Sequence, residues 1–313
     1  MRTPNSTYRI QLSPSFTFDD ATEILPYLAK LRVDWVYLSP ILQSASGSDH
    51  GYDVVDPTRV DEARGGRDGF VRFANAAHKL GLGVLVDIVP NHMGVATPHE
   101  NPWWWDVLTH GRESRYAHYF DIDWDAGGGK LLLPVIGDDD MPKEPGAPIQ
   151  GMWADRGVGV LRYYDHEFPL TPGSADNPEA GTREIHDAQH YELVHWRQGD
   201  WNLNYRRFFT VTELAGLRVE LDDVWEDAHR EILSWVAEGL VDGLRIDHPD
   251  GLRDPAGYLQ TLRERTGLYI SVEKILEPGE QLPAWPVAGT TGYDALGEID
   301  RVLVDPDGEL ELS

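Results

Sequence analysis

The sequence predicts an α/β barrel interrupted by one long insertion. Short β-branched runs alternate with helical apolar patterns up to Pro90, and again after about residue 216, as in a parallel sheet with crossover helices. Between those stretches the alternation stops. The length of 313 residues exceeds the ~250 of an ordinary barrel by enough to hold an insertion.

The elements follow in order. "STYRIQL" (6–12) is the first strand. In "DDATEILPYLAKL", Ala21, Ile24, Leu25, Leu28 and Leu31 recur at helical spacing behind a cap-like Asp pair, with Pro26 a point where the helix can kink. "VDWVYLSPI" (33–41) is a strand running into a Ser-Pro turn. Phe70, Phe73, Ala74, Ala77 and Leu80 make the next helical face, and Gly81 stands where a left-handed cap is wanted. "GVLVDIVP" (83–90) is almost wholly apolar, as a strand covered on both faces is.

From 91 to 216 the chain is rich in Trp, Tyr, Gly, Pro and Asp, which suits an inserted subdomain better than a single loop. The Trp run in "NPWWWDVL" (101–108) reads as its core. The rhythm resumes with Val224, Ala228, Ile232, Val236 and Leu240 on one helical face, then strand "VDGLRIDH" (241–248), a helix over 255–266, strand "LYISVEKI" (268–275) and a sixth strand around "PVAGTTG". Residues 1–90 and 217–313 are thus two parts of one barrel, with 91–216 inserted after its third strand.

Composition narrows the function. The formal charge of −26 repels nucleic acid and anionic membranes. There is no cysteine, which excludes disulfides and thiolate metal sites and fits a reducing compartment. Neither an apolar leader nor a run of membrane-spanning length is present. These features point to a soluble cytoplasmic protein, and nothing in the sequence names a protein partner.

The chemistry is sought at the carboxyl ends of the strands, where ligands of parallel α/β folds bind. In "GLRIDH", alternation turns Arg245 and Asp247 to one side and Leu244 and Ile246 to the other. A guanidinium beside a carboxylate favours the ionised, nucleophilic form, although an ion pair closing the strand would look the same. Glu273 stands at the same place on the next strand, and strands roughly 5 Å apart can bring two carboxyls to the ~5–5.5 Å of a retaining glycosidase pair. Alternation sends Lys274 to the opposite side from Glu273. Asp87, Asn91 and His92 of "DIVPNH" cluster at the third strand's end, as hydrogen-bonding groups for a polyhydroxylated ligand would. Their oxygens also suit calcium, but no dense acidic loop accompanies them, and neither a metal nor a cofactor is expected.

"DIVPNH", "GLRIDH" and the Glu of "VEKI" resemble, in order, three sequence regions of the α-amylase superfamily of retaining glycoside hydrolases. "YLSPILQSASGSDHGYDVVDP", "QHYELVHWRQGDWNLNYRRFF", "GLRIDHPDGLRDP" and "GTTGYD" look like the trehalosyl-forming synthases within it, and together these stretches span nearly the whole chain. The resemblance implies the N-terminal portion of a (β/α)8 TIM barrel, a maltooligosaccharide substrate, and intramolecular transglucosylation of its reducing-end α-1,4 linkage to an α,α-1,1 linkage. It implies that Asp247 is the nucleophile and Glu273 the general acid/base. Arg245 and His92 become sugar-site and nucleophile-orienting residues, with His248 of the same motif beside them. Tyr52 of "HGYDV" becomes an aromatic platform for a sugar ring.

The resemblance also carries a departure. Family chains are longer and use a third carboxylate late in the barrel, so an incomplete barrel is expected here, with doubtful activity in isolation. An α-1,4-glucan hydrolase on the same scaffold and a non-catalytic maltodextrin-binding remnant are the alternatives.

Overall fold

The computed structural model describes residues 2–142, 144, 147–305 and 308. Its main sheet has six strands: β1 (Thr7–Ile10), β2 (Trp35–Leu38), β3 (Gly83–Ile88), β4 (Gly243–Ile246), β5 (Tyr269–Val272) and β6 (Gly289–Thr290). They lie side by side in chain order, and every neighbouring pair is parallel. That is the course of a (β/α)8 barrel, six of whose strands fall among the described residues. The last stretch of the expected third segment, 306–307 and 309–313, lies outside them.

The crossovers are α1 (Phe18–Lys30), α2 (Gly66–Lys79), α3 (Asp222–Ala237) and α4 (Pro255–Thr266), while α5 (Tyr293–Leu303) follows β6. The start of α1 differs from the sequence expectation. Thr17 is the cap, and Asp20 reaches back one turn to accept from the Thr17 backbone N–H at 2.8 Å, which satisfies a donor that helix geometry leaves free. Pro26 sits on the exposed side of α1, which continues through it. Gly81 has φ +77°, the left-handed conformation expected of it just past α2.

Side chains stack in layers inside the sheet's curve. Trp35 of β2 is fully buried and packs edge-on against Tyr269 of β5 at 5.6 Å. Its ring passes so close to the neighbouring strands that a Cβ on Gly83 would lie 2.6 Å from it, and one on Gly243 2.8 Å. Those two glycines are therefore the space that the indole occupies. Above this layer, Asp87 lies two residues beyond Leu85 and is in register with Arg245, so both point inward from adjacent strands.

Between β3 and α3 the chain builds small sheets of its own. Leu131–Ile136 pairs with Tyr191–His195, and Met152–Asp155, Val160–Tyr163 and His166–Pro169 form an antiparallel meander. Trp103 and Trp104, on a helix capped by Asn101, are buried among Tyr116, Tyr119, Phe120 and Tyr205, so the Trp run is core. The segment returns to where it left: His92–Gly94 pairs antiparallel with Val211–Gly216, setting Gly216 opposite His92.

Candidate active site

The charged residues converge just past the ends of β3, β4 and β5. Arg245 is buried at their centre. One of its Nη atoms donates to Asp87 (2.8 and 3.0 Å) and to Asp247 Oδ1 (2.8 Å), and the other lies 2.9 Å from Glu273 Oε1. Three carboxyl groups on three adjacent strands thus share one guanidinium. Its planar fork suits that arrangement, since each arm can hold a different oxygen.

Asp87 has no exposed side-chain surface. Besides Arg245, it accepts from the Tyr37 and Tyr52 hydroxyls, each 2.7 Å from the same Oδ2. Protein donors occupy both oxygens, so Asp87 holds Arg245 and the two phenols in place. Burial pushes its pKa up, while Arg245 and the two phenols pull it back.

One cation among three carboxyls leaves negative charge in a confined space. Asp247 is 6% exposed, and its pKa is raised to about 8, first by burial and then by Asp87, against the pull of Arg245, with Glu273 close enough to share a hydrogen bond. Arg245 favours the ionised form of Asp247, as its place two residues away on the strand suggests, but it is divided among three carboxyls and does not offset burial and Asp87. Asp247 therefore holds a proton more tightly than an ordinary carboxyl does. Glu273 is the more open member, and its Oε2 accepts from the His248 backbone N–H at 3.3 Å. Lys274 turns away to Asp250 and Glu280, as alternation required.

The histidines flank this centre. His92 is buried, its Nε2 is 3.2 Å from the Tyr52 carbonyl and its Nδ1 3.2 Å from the Asn91 amide. Burial lowers its pKa to about 4, so the ring is neutral and donates to that carbonyl. His248 has φ +43°, a strained left-handed conformation, and its ring packs 4.8 Å from Phe208. Phe208 also lies 4.7 Å from His92, which joins the two histidines through one aromatic side chain of the inserted segment. Tyr52 lines an open cleft of about 330 Å³ with Arg9, Tyr37, Arg245 and Glu273. Asp247, Glu273, Tyr52, Asp87, His92, Arg245 and His248 are thus all in one neighbourhood.

Sequence reasoning missed four residues here. Tyr37 and Arg9 carried a usable signal, since alternation turns them to the same inner side of β2 and β1 as the charges further along. Phe208 and Arg206 lie in "NYRRFF", one of the stretches that carry the family resemblance, but neither was singled out by number. Arg206 donates to Asn91 Oδ1 (2.7 Å), the Gly251 carbonyl (3.1 Å) and the Leu217 carbonyl, tying the inserted segment to the loops after β3 and β4. Its guanidinium lies where a Cβ on Gly216 would be, 2.6 Å from Cζ.

Comparison with known proteins agrees with this geometry. Residues 17–258 match the family described as alpha amylase, catalytic domain. A Mycobacterium tuberculosis protein named "Putative maltooligosyl trehalose synthase" is 49% identical over 98% of this chain and 40% of its own length. The solved structure of maltooligosyltrehalose synthase from Arthrobacter ramosus superposes with a TM-score of 0.92 at 58% identity, over 98% of this chain and 39% of that one. A Sulfolobus tokodaii structure titled as a hypothetical maltooligosyl trehalose synthase gives 0.81 at 37% identity, over 97% and 42%. This chain spans about two fifths of the length of these relatives. With its parallel sheet in chain order and its carboxylates at the strand ends, it belongs to the alpha-amylase family.

Proposed function

We propose that this chain supplies the carboxylate pair of a maltooligosyltrehalose synthase, acting on a maltooligosaccharide by retaining double displacement. The observation that carries the reading is the arrangement of Asp247 and Glu273 about Arg245, one on each arm of its guanidinium. With the half-buried Glu273 protonated, Asp247 is the carboxylate. Glu273 then protonates the reducing-end α-1,4 oxygen as Asp247 attacks the anomeric carbon, so the C–O bond breaks as the ester forms. The freed glucose turns over and attacks the ester through its own anomeric hydroxyl, returning its proton to Glu273 and releasing Asp247. The product ends in an α,α-1,1 linkage.

Tyr52 serves as the platform in the cleft, Arg245 and His92 orient the nucleophile, and His248 fixes Glu273 through its backbone. Residues 91–216 act as an inserted subdomain between barrel parts 1–90 and 217–313. The pairing of His92–Gly94 with Val211–Gly216 supports those limits. Enclosure by this segment would keep water from the ester. No described helix is long and apolar enough to cross a membrane, and the lack of cysteine favours a cytoplasmic setting.

The test joins this chain to the C-terminal remainder of the Arthrobacter ramosus relative and supplies maltopentaose. The expected product lacks a reducing end and comes with little free glucose. Glucose and shorter maltodextrins as main products would make the protein a hydrolase. In the same protein Asp247→Asn should abolish a glycosyl ester detectable by mass spectrometry. Glu273→Gln should lose about 10²–10⁴-fold on maltopentaose yet far less on α-glucosyl fluoride, whose leaving group needs no proton.

A further inference from the structure

Behind Tyr52 lies a second group of contacts that the reaction does not itself use. Arg9 and Gln11 stand two residues apart at the end of β1, on one side of the chain. Arg9 Nη1 donates to Gln11 Oε1 at 2.7 Å, and its Nη2 donates to the Tyr52 hydroxyl at 3.3 Å. The guanidinium also sits 5.6 Å over the ring of Tyr37, a favourable placement for a cation. Gln11 in turn donates to the carbonyls of Asp49 (2.8 Å) and His50 (3.3 Å), the residues that lead into Tyr52, and the His50 ring stacks on Tyr52 at 6.0 Å. The phenol that accepts from Arg9 donates its own O–H to Asp87 Oδ2 at 2.7 Å.

We infer that Arg9 is a positioning residue of this site: with Gln11 it braces Tyr52 and the loop behind it, so that Tyr52 stays on Asp87 and Asp87 keeps Arg245 between the two carboxyls. The chain of contacts runs Arg9, Tyr52, Asp87, Arg245, then Asp247 and Glu273. Releasing the phenol deprives Asp87 of one donor. Arg245 is then drawn toward Asp87 and away from Asp247, which holds its proton more tightly.

This inference rests on reading Asp247 and Glu273 as the working pair, but its test needs no turnover. The chain is labelled with ¹³C at aspartate carboxyl carbons, and the Asp247 resonance, assigned through Asp247→Asn, is titrated in wild type, Arg9→Gln, Tyr52→Phe and the double variant. Arg9→Gln should raise the Asp247 midpoint by about half a pH unit, and the double variant should move no further than the larger single. Arg9→Lys, which keeps the charge without the planar fork, should shift like Arg9→Gln. Additive shifts, or a wild-type midpoint in Arg9→Lys, would reduce Arg9 to a charge in the cleft and overturn the proposal. A coupled shift in a protein that fails the maltopentaose assay would keep the brace and remove the synthase reading, so the two failures are distinguishable.

Discussion

The curved sheet and the inserted segment meet at one site but contribute to it differently. From the sheet come the carboxyls and the guanidinium, each fixed by main-chain register: Asp87 is opposite Arg245, and Glu273 follows the strand paired with it. The insertion contributes Arg206 and Phe208 from irregular chain near a register shift, and they hold or cover what the sheet has placed. Register is a strong constraint, because a one-residue slip would turn Arg245 outward. A loop residue has no such guarantee and must be held by its own contacts.

The largest expected effect lies in the sheet. Trp35→Ala removes a fully buried indole whose space is kept by two glycines, and neither glycine can fill the void. Urea unfolding should show a loss of about 3–5 kcal/mol. A loss below about 1 kcal/mol would mean that the inner layer of the sheet collapses freely, and the contrast with the insertion would disappear.

A second effect concerns the charge that the sheet confines. Asp247 titrates in the folded state near pH 8, above the ~3.9 of an unfolded chain. Such a raised carboxyl favours folding most below pH ~4 and forfeits that contribution as pH climbs to about 8. Asp247→Asn carries no such pH dependence. The variant should gain stability over wild type as pH rises from 6, by about 2–3 kcal/mol at pH 9. A gain that shrinks with pH would show that Arg245 does hold Asp247 ionised.

The link between the two regions ranks next. Arg206→Met leaves the Gly251 and Leu217 carbonyls without this donor, a loss of about 1–3 kcal/mol. Hydrogen exchange should quicken in the loops after β3 and β4 and stay unchanged in β1 and β2. Uniform acceleration would mean that Arg206 supports the whole fold.

The same contrast explains what could be read from sequence. The first five strands and the inward set of Arg245, Asp247 and Glu273 follow from periods of two and 3.6, which burial imposes on both faces of the sheet. The carboxyl ends of the expected strands ran two or three residues long, since Asp247 and Glu273 lie just past the last ladder pairs. The division of Arg245 among three carboxyls was not legible, because it depends on distances across strands. The role of Arg206 was not legible for another reason: two of its partners are the backbone carbonyls of Gly251 and Leu217, which leave no mark in the sequence.

The smallest effect isolates the insertion's surface. Trp201 follows a short 3₁₀ turn at 196–200 and is 75% exposed, and among the described residues no ring contact to it is recorded. Exposed side chains without packed neighbours change stability by about 0.5 kcal/mol or less, and the bond from the Trp201 backbone N–H to the Gln198 carbonyl survives the change, so Trp201→Ala should unfold with wild type in urea. The two tryptophans thus bracket the comparison, one locked between strands and the other free of them. A loss above about 1 kcal/mol for Trp201→Ala would show that the indole is covered in solution by surface beyond the described residues. The insertion would then be packed as tightly as the sheet, and the distinction between the two regions would rest on chemistry alone.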